Sequence, residues 1–140
     1  TLIAMIQLRN GSRISEACNS FIIFCKKGMD KDVVVKIAKS EAIKYKKGKK
    51  FTTKARYRKL TFPKWIEISK ELFSDIAARL EKIPADKLRK RVLDYMLRKF
   101  DCNTHSLRYA CINYLIYDKK TELNTVAKLV GHVNLNMLTT

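Results

Sequence analysis

Apolar residues recur along this chain in two rhythms, and the change from one to the other marks out its parts. Residues 2 to 8 carry a short apolar helix, interrupted by Asn10, Gly11 and Ser12, and "RISEACN" resumes helix from about Arg13. The segments "SFIIF" and "DVVVKIAKS" are rich in strand-forming residues, with Val33, Val35 and Ile37 on one face and Lys39 where the strand ends. "EAIKYKKGKKFTTK" is lysine-rich around Gly48, as in a hairpin tip or mobile loop, and "ARYRKLTF" returns as a strand closed by Pro63.

The rest has helical periodicity. Ile68, Leu72, Ile76, Leu80 and Ile83 form one stripe. After Pro84, with Asp86 as a cap, Leu88, Val92, Tyr95, Met96 and Phe100 form another. A helix over 104–117 follows, apolar on both sides, with almost no face left for water. "NTVAKLV" ends at Gly131 as a C-cap, and "VNLNMLTT" begins a last short helix. The expectation is an α+β fold: a mainly helical domain, residues 1–140, with a small three-stranded antiparallel sheet.

Charge changes the picture. Thirty Lys and Arg stand against thirteen Asp and Glu, a formal net charge of +17, while hydrophobic residues make up 46% of the 140. A chain with that much apolar content folds, and a fold under that much self-repulsion calls for a polyanionic partner. A membrane surface would need a strongly amphipathic helix with its lysines on one face, and none stands out. Nor does any apolar run approach the roughly 18 residues of a membrane span. Cys18, Cys25, Cys102 and Cys111 form no Cys-x-x-Cys pair; Cys18 and Cys111 fall in apolar helical patterns, as reduced core thiols do. Cys102 and His105 match no common zinc-finger spacing, so neither metal nor cofactor is expected. The opening "TLIAMIQLRN" leaves little room for a cap, which suits a domain cut from a longer protein.

Several polar residues have contexts that do not explain them. His105 and Arg108 lie one turn apart in an apolar helix, where a guanidinium needs an anion. Each residue also has a plain reading: Arg13 with Glu16 as a surface pair beside a cap, Lys39 as a solvated lysine, His105 and Arg108 as a satisfied core pair, His132 against the last helix carbonyls. Together they make a kit for a phosphodiester. Two arginines offer forked donors to non-bridging oxygens, two imidazoles move or donate protons near neutral pH, and a lysine can protonate a departing alkoxide.

The order Arg, Lys, His-x-x-Arg, Gly-His, in "RNGSRISEAC", "VVVKIAKS", "NTHSLRYACINYLI" and "KLVGHVNLN", resembles the catalytic domain of the tyrosine recombinases, the integrase family, over essentially the whole chain. "RISEA" alone is a weak match; "THSLR" followed by "LVGH" at this distance is a strong one. The lysine-heavy composition, with four Gly and two Pro, suits an archaeal or viral member. The resemblance implies that Arg13 and Arg108 grip the scissile phosphate, His105 acts as general acid/base, Lys39 protonates the leaving 5′ oxygen, His132 bonds a non-bridging oxygen, and Glu16 supports Arg13. Lys36 and Lys44 compete with Lys39 for its role. Tyr109, where many relatives carry another residue, reads as packing.

One departure concerns the nucleophile, which the family carries on a short helix roughly one residue beyond Thr140. Tyr109, Tyr114 and Tyr117 are in the wrong helix, and Tyr45, Tyr57 and Tyr95 in the wrong part of the chain. The chain is thus expected to bind DNA without cleaving it, either as a fragment lacking the tyrosine segment and an N-terminal DNA-clamping domain or as an inactive relative. Lys44, Lys46, Lys47, Lys49, Lys50, Lys54, Arg56 and Arg58, with Tyr45, Phe51 and Tyr57 interleaved, would run along double-stranded DNA with little sequence choice. The family implies tetramers on paired sites, with the fragment itself a monomer, acting on DNA in the host cytoplasm. A type IB topoisomerase shares this chemistry, and a non-catalytic basic DNA-binding module shares the charge.

Overall fold

A computed structural model describes residues 1–38, 40, 41 and 43–131. Two helices open the chain, α1 (Leu2–Asn10) and α2 (Ile14–Lys27), followed by β1 (Val33–Lys36), β2 (Ile43–Lys46), β3 (Lys49–Thr52) and β4 (Tyr57–Leu60). Four helices follow: α3 (Lys70–Leu80), α4 (Ala85–Phe100), α5 (His105–Asn113), which runs on into a π-helical turn (Tyr114–Asp118), and α6 (Leu123–Val130). The described residues are therefore α+β and mainly helical, as the periodicities imply. No helix among them is long and apolar enough to cross a membrane.

The "SFIIF" segment is helix, where strand was expected. Ala17, Cys18, Phe21 and Phe24 are buried at helical spacing on one side of α2, and Ser20 Oγ donates back to the Ala17 carbonyl at 2.8 Å. A face that buries two phenylalanines outweighs the weak strand preference of Phe and Ile. Phe21, Phe24, Phe62 and Phe73 pack edge-to-face, with centroids 5.4–6.2 Å apart, and tie α2 to α3 and to the segment after β4. Leu88, Val92 and Met96 of α4 close the same core.

Of the stripe expected here, Ile68, Ile76, Leu80 and Ile83 pack against the core, but Leu72 is exposed and Phe73 is the buried residue of α3. Phe100 at the end of α4 is exposed too. Pro84, with no side chain to donate or accept, occupies the N-cap position expected for Asp86, which lies in the first turn instead.

The sheet is also rearranged. Two separate two-stranded antiparallel ladders, β1–β4 and β2–β3, stand where one three-stranded sheet was expected. They are two stretches of one ribbon: Lys36 faces Tyr57, and further out Ile43 faces Thr52. The sequence between the two ladders has six positions on one arm and four on the other, so the pairing cannot run on in register. Side chains hold the break. The Arg56 N–H donates to Ser40 Oγ at 3.0 Å, and Thr53 Oγ1 donates to the Ser40 carbonyl at 2.6 Å. At the tip, Lys47 and Gly48 both have positive φ, 51° and 76°, the signature of a type I′ two-residue turn. Near the core Val33, Val35, Arg58 and Leu60 are buried, whereas every residue of β2 and β3 is exposed.

Candidate active site

The site is built on the turn that ends α1. Gly11 caps that helix at φ 59°, and a Cβ there would stand 2.8 Å from Val130 Cγ1 and 3.1 Å from Cys111 Sγ. Only a residue without a side chain fits, so the turn wedges between α5 and α6. Asn10 pins it to Thr61, the residue after β4, from the other side: its Nδ2 donates to the carbonyls of Ile6 and Thr61, each at 2.9 Å, and its Oδ1 accepts the Thr61 N–H at 2.9 Å.

Two arginines remote in sequence converge on successive carbonyls of this turn. Arg58 Nη2 donates to the Asn10 carbonyl at 2.6 Å, and Arg108 Nη1 donates to the Gly11 carbonyl at 2.8 Å. A third, Arg13, follows the turn directly as the N-cap residue of α2. Between them lies Glu16, which is fully buried. Its Oε2 accepts Arg13 Nη1 at 3.3 Å and the Ala38 N–H at 3.0 Å; its Oε1 accepts the Arg13 backbone N–H at 3.4 Å and stands 3.5 Å from Arg58 Nη1. One carboxylate thus pairs with two guanidiniums while Arg108 stands beside them without a carboxylate of its own, and the cluster is left with an excess of positive charge.

Burial and mutual repulsion tell on these groups. Arg108, only 3% exposed, is lowered from its ordinary value to about 10, first by loss of solvent and then by the Arg13 charge, with Glu16 opposing. Arg58 is lowered as well, by burial first, against the pull of Glu16. Both remain cations at neutral pH. Arg108 Nη2 is buried and has no hydrogen-bond partner among the described residues; Arg58 Nε and Nη1 likewise have none, Nη1 lying at ion-pair distance from Glu16. A buried, unpaired guanidinium nitrogen beside two other arginines is an arrangement suited to an oxyanion.

Of the residues singled out in the sequence, Arg13, Glu16 and Arg108 meet here. His105 lies a turn before Arg108 but is exposed, its ring 6.2 Å from that of Tyr109. The face of α5 that carries His105, Tyr109 and Asn113 is open to solvent, contrary to the expectation of a helix closed on all sides. Tyr109, 58% exposed, is not a packing residue. Lys39 and His132 lie outside the described residues, as does the segment expected to begin a last helix. Their neighbours are placed: Ala38 on Glu16, and Gly131 where a Cβ would be 3.4 Å from Ile37 and 3.5 Å from Arg58.

Lys44, Lys46, Lys47, Lys49, Lys50, Lys54 and Arg56 are exposed along the outer ribbon, as a backbone-tracking surface requires. Arg58 departs from them: it is buried in the cluster and cannot lie along a bound duplex with the rest. The signal for it was the alternation in "YRKL", which puts Arg58 and Leu60 on one face. The acceptors, the carbonyls of Asn10 and Gly11, carried no signal of their own. Cys18 and Cys111 are buried thiols, the first pushed up to about 12 by burial. No group of three or more metal-ligating His, Cys, Asp or Glu residues occurs among the described residues.

No family model and no solved structure matches the chain. Three curated relatives do. It is 46% identical over 98% of its length to "Putative integrase V10" of Sputnik virophage, covering 63% of that protein. It is 30% identical over 97% of its length to an uncharacterized protein of Methanocaldococcus jannaschii, covering 64% of it. It is also 30% identical over 99% of its length to "Putative integrase ORF241" of Acidianus two-tailed virus, covering 48% of it. The chain therefore spans about half to two thirds of the relatives it matches, and two of these, both viral, carry the name integrase.

Proposed function

We propose that this chain is the phosphate-binding part of a tyrosine-type DNA integrase, a site-specific recombinase acting through a 3′-phosphotyrosine. The observation that carries the reading is the cluster of three arginines around one buried carboxylate, with Arg108 presenting an unpaired nitrogen. The names of the two viral relatives point toward DNA integration in particular, over supercoil relaxation by the same chemistry.

In this mechanism a tyrosine oxygen attacks the phosphorus of one DNA strand, and the 5′ oxygen leaves. Arg13 and Arg108 bind the two non-bridging oxygens and stabilise the charge that builds on them. Glu16 holds Arg13 in position. His105 acts as general acid/base near the nucleophile, Lys39 protonates the 5′ oxygen, and His132 donates to a non-bridging oxygen. The freed 5′ hydroxyl then attacks a partner strand's phosphotyrosine, so the bond is exchanged without ATP or metal. The tyrosine comes from a segment of the whole protein outside these 140 residues, in cis or from a neighbouring protomer. Double-stranded DNA is the partner, tetramers on paired sites are the working assembly, and the host cytoplasm is the place of action.

The test is covalent trapping. The whole protein, incubated with duplexes bearing its target, should give a protein–DNA adduct that survives denaturant and is lost on Arg108→Ala. DNA binding with no adduct from any duplex or from nicked substrates would reduce the reading to a basic DNA-binding module.

A further inference from the structure

Arg58 has no part in the chemistry set out above, yet its position is hard to explain without one. It faces Val35 across the ladder, at an inward position two residues before Leu60, where an aliphatic side chain would serve the core. A guanidinium placed there loses its hydration, and burial lowers its proton affinity accordingly.

Its contacts all lead to the site. Nη2 holds the Asn10 carbonyl at 2.6 Å, in the turn whose next carbonyl takes Arg108. Nη1 stands 3.5 Å from Glu16 Oε1, and the other oxygen of that carboxylate holds the Arg13 guanidinium and the Ala38 N–H. The stem passes Gly131, whose missing Cβ would lie 3.5 Å from Arg58 Cδ. Arg58 thus spans the two elements that place the phosphate-gripping arginines, and its burial keeps it off the DNA.

We propose that Arg58 is a positioning residue for phosphate binding: its guanidinium joins the Asn10 carbonyl to the Glu16 carboxylate and so fixes both Arg13 and the turn that Arg108 grips. This rests on the reading of the cluster as a phosphate site. It differs from two simpler roles, a general contribution to positive charge and a general contribution to stability.

The experiment is a titration of the 140-residue chain with inorganic phosphate, following the side-chain Nε–H signals of Arg13 and Arg108 by NMR. In the wild type both signals should move along one saturation curve. Arg58→Gln should lower the phosphate affinity about tenfold and shift the Arg13 signal before any phosphate is added. Arg58→Lys, which can serve Glu16 or the Asn10 carbonyl but not both, should fall between the two. Lys64→Gln removes the same charge from an exposed position and should change the affinity less than twofold. An Arg58→Gln protein that binds phosphate as the wild type does overturns the proposal while leaving the phosphate site standing. Should Arg58→Gln fail to fold, Arg58→Lys decides: wild-type affinity with an unmoved Arg13 signal overturns it. Loss of affinity in Lys64→Gln equal to that in Arg58→Gln also overturns it, in favour of bulk charge. A wild type whose two arginine signals ignore phosphate overturns the site reading and this proposal together.

Discussion

Arg108 reaches across 97 positions of sequence to donate a hydrogen bond, 2.8 Å long, to the carbonyl of Gly11. The bond uses Nη1 and leaves the buried Nη2 without a partner among the described residues. One arm of the fork is anchored to the protein, so the other is already aimed. In Arg108→Lys a single ammonium cannot do both tasks. In the whole protein this variant should keep duplex affinity within about threefold, because most affinity comes from other cations, and lose adduct formation by about a hundredfold or more. Gel-shift and denaturing-gel assays on one preparation separate the two quantities.

The acceptor side of that bond is equally demanding. Gly11→Ala places a methyl group 2.8 Å from Val130 Cγ1 and 3.1 Å from Cys111 Sγ, at a left-handed φ of 59°. Strain at the backbone and overpacking against two buried residues together should cost about 3 kcal/mol. For a domain this size the thermal midpoint should fall by about 10 °C. Gly48→Ala, also at positive φ but with nothing within 4 Å, should cost about 1 kcal/mol. Equal losses from the two substitutions would mean that backbone strain alone matters and that the turn is not wedged.

Most helices could be read from the sequence because their buried faces repeat at 3.6 residues and their ends carry Gly11 and Gly131. Where the reading failed, local preference and tertiary context disagreed. "SFIIF" favours strand residue by residue, but Phe21 and Phe24 fit the α2 stripe that begins at Ala17. The three-stranded sheet failed for a different reason: nothing in "AKSEA" announces that Ser40 will hold a break by binding Arg56 and Thr53. At the site, Arg13, Glu16 and Arg108 were legible from their spacing and motifs. Arg58 was hidden among lysines, because composition records its charge and not its burial.

Glu16 should be the least replaceable side chain of the cluster. It is fully buried and accepts from Arg13 and the Ala38 N–H, with Arg58 3.5 Å away. Glu16→Gln leaves two arginines facing a neutral amide that can itself present donors to them. Breaking a buried ionic arrangement by removing one partner costs about 3–5 kcal/mol. Urea unfolding followed by circular dichroism should show a lower midpoint with an unchanged slope.

The outer ribbon makes a prediction independent of the pocket. Every residue of β2 and β3 is exposed, and Lys46 stands directly opposite Lys49, a like-charged pair that weakens the ladder unless an anion lies beside it. Changing Lys44, Lys46, Lys47, Lys49 and Lys50 to Gln should leave the thermal midpoint within a few degrees. Duplex affinity should fall for all sequences alike, and the dependence of log K on log salt should become shallower by about 0.9 for each phosphate contact removed. Fluorescence anisotropy at several salt concentrations measures both. An unchanged slope would remove the ribbon from the DNA-binding surface.

The lowered proton affinity of Arg108 gives the pocket a characteristic pH dependence. Burial and the Arg13 charge bring Arg108 to about 10, below its ordinary value, so in the free protein it loses its charge as pH rises through that point. A bound dianion favours the protonated form, and binding is therefore linked to proton uptake above pH 10 and independent of this group below it. Sulfate is the suitable probe because its own charge is constant over the range. Its affinity should be flat with respect to Arg108 between pH 7 and 9, and should then fall by up to tenfold per pH unit above about 10. In Arg108→Met the affinity should be weak throughout, and the component of the fall that belongs to Arg108 should be absent. A wild-type profile that parallels that of Arg108→Met across pH 10 would mean that the lysines, not this guanidinium, set the pH response.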